Sequence, residues 1–176
     1  MEKFSDRLNR MSFSQTFVMS NKVRQMKAEG LDVISLTLGE PDFDVPDNIK
    51  EAAFAAINNN FSHYSPVPGF LDLREAVCEK LKRDNNLDYK PTQICVSNGA
   101  KQSILNALAS IINEGDEVII PTPCWVSYPE MVRMVGGVPV FVPACEKDGF
   151  VPAPAAIAAA ITPKTKAMIL TTPSNP

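Results

Sequence analysis

Histidine is almost missing from this chain: His63 is the only one in 176 residues. The four cysteines, Cys78, Cys95, Cys124 and Cys145, show no Cys-x-x-Cys spacing and no histidine close by. A zinc site or a Cys–His catalytic pair therefore has little to be built from, and no metal is expected. Reduced thiols in a cytoplasmic protein are the expectation instead. No apolar run approaches the ~20 residues that a membrane helix needs. The opening MEKFSDRLNRMSFSQ is too polar to read as a signal peptide. There is no basic excess either: 17 Lys and Arg stand against 20 Asp and Glu, a formal net charge of −3. Without a basic patch, nucleic acid is not an expected partner. Neither the Walker pattern nor Gly-x-Gly-x-x-Gly occurs, so nucleotide phosphates are not specifically indicated.

What remains is enough for a substantial core, with hydrophobic residues at 45% and charged residues at 21%. SNKVRQMKAEG reads as a helix with Ser20 as a possible cap and Gly30 as its stop. DVISLTLGEPDFDVP follows, a strand that breaks at Gly39 into a Pro- and Asp-rich turn. Asp47 is expected to cap a helix whose apolar stripe is Ile49, Ala52, Ala53, Ala56 and Ile57. NNNFSHYSPVPG is a loop by composition, and Leu73, Val77 and Leu81 mark a further helix. From Gln93 the pattern alternates. QICVS, EVIIP, VPVFV and KAMILTT read as four short buried strands, separated by helices near 100–113, near 128–136 and up to Ile161. Strands that are apolar throughout and alternate with helices predict an α/β fold, a parallel sheet layered between helices.

Open parallel sheets bind ligands beyond the carboxyl ends of their strands. Three peptides are expected at such ends: SNGAK, PTPCW and TPSNP. In the first, a glycine turn leading into a helix makes an anion site from backbone N–H groups and the helix dipole. Lys101 in that first turn is unfavourable by ~0.3–1 kcal/mol unless an anion sits beside it; a solvated lysine on an ordinary turn is the plainer reading. Trp125, the sole tryptophan, could stack on a planar ring or simply fill a core or interface. Asn175 could donate to an anionic oxygen, although Asn-Pro is also a common turn. Thr122-Pro123 and Asn175-Pro176 are candidates for cis bonds. Gly39 allows a close backbone approach, and Tyr64 carries a polar tip on a loop.

Taken in order, GEPDFD, Tyr64 and Gly69 with Leu73-Arg74, SNGAKQ, PCWVSYPEM and ITPKTKAMILTTPSNP resemble the fold-type I pyridoxal-phosphate aminotransferases, in particular their bacterial aspartate aminotransferase branch. The resemblance runs over about residues 14–176. It implies a three-layer parallel-sheet fold, with residues 1–46 as an arm and small-domain segment and 47–176 as the first half of the cofactor-binding large domain. Gly99, Ala100 and Lys101 match the turn that holds the cofactor phosphate. Trp125 matches the aromatic on the pyridine ring, and Asn175 the residue that bonds the phenolic oxygen and helps seat the substrate. Gly39 matches a glycine that meets the substrate carboxylate. Lys101 and the Ser14/Thr16 stretch match positions associated with a second, distal carboxylate. Tyr64 matches a tyrosine that reaches across a homodimer interface, so the active sites would be shared between two chains.

The implied activity is transfer of an amino group between an amino acid, aspartate foremost, and a 2-oxo acid such as 2-oxoglutarate. Three departures touch substrate choice: Cys124 stands where tyrosine is frequent, and Ala100 and Ser174 replace the commoner Gly and Asn. No lysine within 1–176 holds the Schiff-base position, so no catalytic residue is nominated. The sequence reads as the N-terminal portion of such an enzyme, inert by itself because covalent catalysis needs that amine. Other aminotransferase specificities (aromatic, alanine or prephenate) and a non-catalytic domain that binds a phosphorylated ligand are the alternatives.

Overall fold

Val118, Ile119 and Ile120 are β-branched in succession, which suits a strand buried on both faces; each is at most 1% exposed. They form the centre of β1 (Glu117–Thr122) in the computed structural model, which describes residues 4–12 and 15–175. β2 (Val138–Pro143) and β3 (Thr165–Met168) lie on either side of β1, and both pair with it in parallel. The β1–β2 register runs unbroken from Glu117↔Val138 to Thr122↔Pro143. The β1–β3 register slips between Glu117 and Val118, and the Ile169 N–H then donates to the Ile119 carbonyl at 2.9 Å, carrying the pairing past the end of β3.

Seven helices accompany the sheet among the described residues: α1 (Asp6–Asn9), α2 (Gln15–Ala28), α3 (Asp47–Asn58), α4 (Leu71–Asn85), α5 (Gly99–Ile111), α6 (Ser127–Met134) and α7 (Pro154–Ala160). Val118 and Ile120 point to one face of the sheet. There they meet Leu108 and Ile112 from α5 and its end, and Tyr128, Met131 and Val132 from α6. Each buried aliphatic side chain of this kind contributes about 1.5–3 kcal/mol relative to exposure. Ile119 alternates to the opposite face, where Val142 is also buried, and α7 packs against β2. Gly137 allows the chain to enter β2 closely beneath α6, because a Cβ there would lie 2.9 Å from Val132 Cγ1 and Ile112 Cγ2.

The chain divides into two compact units, Met1–Glu40 with Ile104–Pro176, and Pro41–Ser103. The sheet belongs to the first. In this unit Ser12 N–H donates to the Glu130 carboxylate at 2.9 Å and α1 packs on α6, which ties the described N-terminal residues to the layer above β1. The second holds α3 and α4, and none of its described residues is buried. Its organising contact is polar. Arg74 donates through Nε to the Gly69 carbonyl at 3.1 Å and through Nη1 to the Pro91 carbonyl at 2.9 Å, joining the start of α4 to the segments on both sides of it.

Several local expectations are corrected. QICVS is not a strand: Pro91–Gln93 form a 3₁₀ turn, Ile94 is extended, and residues 94–97 join no ladder. Val96 donates its N–H to Pro68 O at 3.0 Å, a loop contact, and a strand exists only as a pairing. The described sheet thus has three strands rather than four. DVISL is irregular for the same reason, with Ile34 and Leu36 largely exposed. Ser20 lies inside α2, which starts at Gln15, and its hydroxyl sits 3.5 Å from that of Thr37. Gly30 does follow the end of that helix, at φ +83°. Asp47 is the first residue of α3 rather than its cap, and its carboxylate accepts from Lys50 Nζ at 3.0 Å. Thr122-Pro123 is cis, as is Thr172-Pro173. The other expected cis bond, Asn175-Pro176, involves a residue outside those described.

Candidate functional site

β1 and β3 end at the same rim of the parallel sheet, and each hands its chain to an irregular turn. After Thr122 the chain passes through Pro123 into Cys124 and Trp125; after Met168 it continues through Thr171 to Ser174 and Asn175. The two peptides line one open cavity of about 330 Å³, whose walls include Thr122, Cys124, Trp125, Phe150, Thr171 and Asn175. Its place beyond the carboxyl ends of parallel strands is where an open α/β sheet binds ligands, and its size falls within the ~300–1,000 Å³ of small-molecule sites.

Trp125 is half-buried and packs against the core. Its ring meets Tyr128 edge to face, with centroids 5.4 Å apart and planes at 83°, a favoured aromatic geometry. Tyr128 is only 5% exposed, and its phenolic oxygen accepts from the Thr171 hydroxyl at 3.1 Å. Burial pushes the Cys124 thiol pKa up, so this wall of the cavity is neutral. Asn175 is exposed at the rim. The cavity accordingly offers a flat apolar surface on one side and an amide at its edge.

Gly99, Ala100 and Lys101 form the first turn of α5 and are exposed. Gly99 sits at φ +78° with its N–H donating to Ser97 O at 2.9 Å, and a Cβ placed on it would meet nothing within 4 Å. The Gln102 side chain folds back to accept from Asn98 N–H at 2.5 Å, and the Ser103 hydroxyl donates to Gly99 O at 3.4 Å. These bonds fix the entry into the helix while leaving the glycine face open. Tyr64 is fully exposed on the loop between α3 and α4. Both this tyrosine and the Gly99 turn belong to the Pro41–Ser103 unit. Gly39 is exposed in an irregular stretch, and Thr16 is half-buried in the first turn of α2; neither lines the cavity. Ser14 lies outside the described residues. Of the residues singled out from sequence, the structure brings Trp125 and Asn175 to one cavity. Sequence reasoning missed Tyr128 and Thr171. The only signal was the spacing of Tyr128, three residues after the tryptophan.

The sequence profile described as aminotransferase class I and II matches residues 31–176, most of the chain. The chain belongs to that family. A curated aspartate/prephenate aminotransferase of Cereibacter sphaeroides is 51% identical over 176 residues, spanning 100% of the chain and 44% of that protein. An aspartate aminotransferase of Bacillus subtilis is 44% identical over 174 residues, spanning 99% and 44% respectively. Among solved structures, the aspartate aminotransferase from Thermus thermophilus with maleate superposes at a TM-score of 0.94 with 44% identity, covering 100% of this chain and 46% of that one. The chain thus spans about half the length of the curated relatives it matches. At this identity the α/β fold of the aminotransferases is the fold of this chain.

Proposed function

We propose that this chain supplies the first part of a pyridoxal-phosphate-dependent aminotransferase that moves an amino group from aspartate to a 2-oxo acid such as 2-oxoglutarate. The observation that carries the reading is the shared cavity of Trp125 and Asn175 at the carboxyl ends of β1 and β3. The residues present fit the cofactor: a flat aromatic wall suits a pyridine ring, an amide at the edge suits an anionic ring oxygen, and a glycine-led helix start suits a phosphate. When bound, pyridoxal phosphate supplies the electron sink on which amino transfer depends.

Each residue of this chain then has a defined task. Trp125 holds the ring plane, and its edge contact with Tyr128 keeps it from rotating away. Asn175 donates from its amide. The first turn of α5, opened by Gly99, presents the backbone N–H groups of Ala100 and Lys101 to the phosphate, and Lys101 offsets negative charge there or at a substrate's distal carboxylate. By the family likeness, Gly39 would serve the substrate carboxylate and Thr16 its distal one; Ser14, given the same role, lies outside the described residues. Tyr64, with its ring in solvent, reaches the phosphate of a second copy in a homodimer. In this reading residues 47–176 form the first half of the cofactor domain, and residues 1–46 an arm and small-domain segment.

A second reading of specificity, with prephenate as an amino acceptor, is favoured by the 51% identity to a protein named for both substrates. Assay of the full-length protein with pyridoxal phosphate, with 2-oxoglutarate or prephenate as acceptor, separates the two. Transfer from aspartate is expected. Lys101→Ala is expected to lower kcat/KM for aspartate by about tenfold or more, relative to a monocarboxylic donor, through the lost ion pair. Cofactor binding without transfer to any acceptor would favour a non-catalytic domain, and unchanged selectivity in the variant would remove Lys101 from its role.

A further inference from the structure

The cavity has two walls that are far apart in sequence, and one buried side chain touches both. Tyr128, at 5% exposure, lies at the start of α6. Its ring stands edge to face with the Trp125 indole, centroids 5.4 Å apart, and its hydroxyl oxygen accepts from Thr171 Oγ1 at 3.1 Å. Thr171 opens the turn that ends in Ser174 and Asn175, and it lines the cavity itself. Tyr128 does not line it. Its ring belongs to the core cluster with Val118, Ile120, Met131 and Val132, so it is held in place from behind.

We infer that Tyr128 is a positioning residue that sets Trp125 and the Thr171–Asn175 turn relative to one another, so that ring wall and amide donor act as one preformed site. The physical reasoning is in two parts. A buried hydroxyl that loses its partner, or a partner that loses its hydroxyl, leaves a polar group with nothing in exchange. An edge-to-face contact constrains the tilt of the indole, and that tilt decides whether its face can lie flat on a ring ligand. A phenylalanine in place of Tyr128 keeps the ring contact and the packing but releases the turn. A core role alone requires only the ring, whereas the positioning role requires the hydroxyl and Thr171 together. The inference rests on the proposed cofactor reading for its ligand, but the mechanical coupling of the two walls can be measured without any ligand.

The test uses the full-length protein labelled with 5-fluorotryptophan, with the Trp125 resonance assigned by its loss in Trp125→Phe. In the cofactor-free protein, Thr171→Val is expected to shift the Trp125 line, and that shift is expected to vanish when Tyr128→Phe is already present. For pyridoxal phosphate binding, Tyr128→Phe and Thr171→Val should each raise Kd by about five- to tenfold. The double variant should be no weaker than either single one, because both remove the same bond. A Trp125 line indifferent to Thr171→Val, or a shift that persists in the Tyr128→Phe background, would overturn the inference, as would additive losses of affinity. If the parent protein does not bind pyridoxal phosphate, the functional reading fails, while the ligand-free resonances still decide the coupling. Should Tyr128→Phe fold poorly, the Trp125 line in Thr171→Val alone still decides, since an unmoved line contradicts the inference.

Discussion

Gly69 and Gly99 both hold a left-handed backbone, but they answer to different demands. At Gly69, φ is +97° and a Cβ would lie 2.8 Å from Val96 Cγ2; at Gly99, φ is +78° and a Cβ would find open space. Gly69→Ala should therefore cost about 1–3 kcal/mol from strain and clash together, and Gly99→Ala about 1 kcal/mol from backbone strain alone. Denaturant midpoints of the two variants should rank in that order, and the reverse order would contradict the contact described for Val96. Cys124 makes a second prediction. Burial raises its pKa in the folded chain, so the stability tied to its neutral thiol is fully present below the unfolded value and is lost as pH rises through the higher folded one. Peptide mapping after brief alkylation near neutral pH should find the exposed Cys95 and Cys145 modified well before Cys124. Equal labelling would place Cys124 in solvent. Of these features, only the glycines' permissiveness was visible in sequence; the clash at Val96 depends on a neighbour 27 positions away.

At the scale of elements, helices were legible and lone strands were not. The stripe from Ile49 to Ile57 marks α3, and Leu73, Val77 and Leu81 mark α4, because a 3.6-residue period is a local property. QICVS and DVISL have the composition of buried strands, yet neither pairs among the described residues, since a ladder needs a partner that composition does not name. Capping was misjudged where a competing contact took the side chain, as when Lys50 engages Asp47. What organises the stretch around 64–96 is the fork of Arg74 on the Gly69 and Pro91 carbonyls. A lysine cannot reach both acceptors in that geometry. Arg74→Lys is expected to lower local stability by about 1–2 kcal/mol, seen as faster hydrogen exchange at the Gly69 and Val96 amides with α4 intact by circular dichroism. Unchanged exchange would show that the fork is not what holds the loop.

For the molecule as a whole, the alternation from Gln93 onward foretold a parallel α/β sheet, and the three observed strands follow it from residue 117, without the expected first one. The cavity was less accessible. Trp125 and Asn175 are each ambiguous alone, and fifty residues separate them; only the ordered likeness to a family suggested that they meet. The structure brings them together at the ends of neighbouring strands, which no period or composition could supply. The central claim is that these two residues form one seat for a phosphorylated pyridine ring. Titration of the cofactor-free, full-length protein with pyridoxal phosphate, following the emission that disappears in Trp125→Phe, tests it most directly. Saturable quenching of that emission at one cofactor per chain is expected, with the midpoint raised about tenfold in Asn175→Ala. Stoichiometric binding that leaves the Trp125 emission unaltered, or that is indifferent to Asn175, would contradict it.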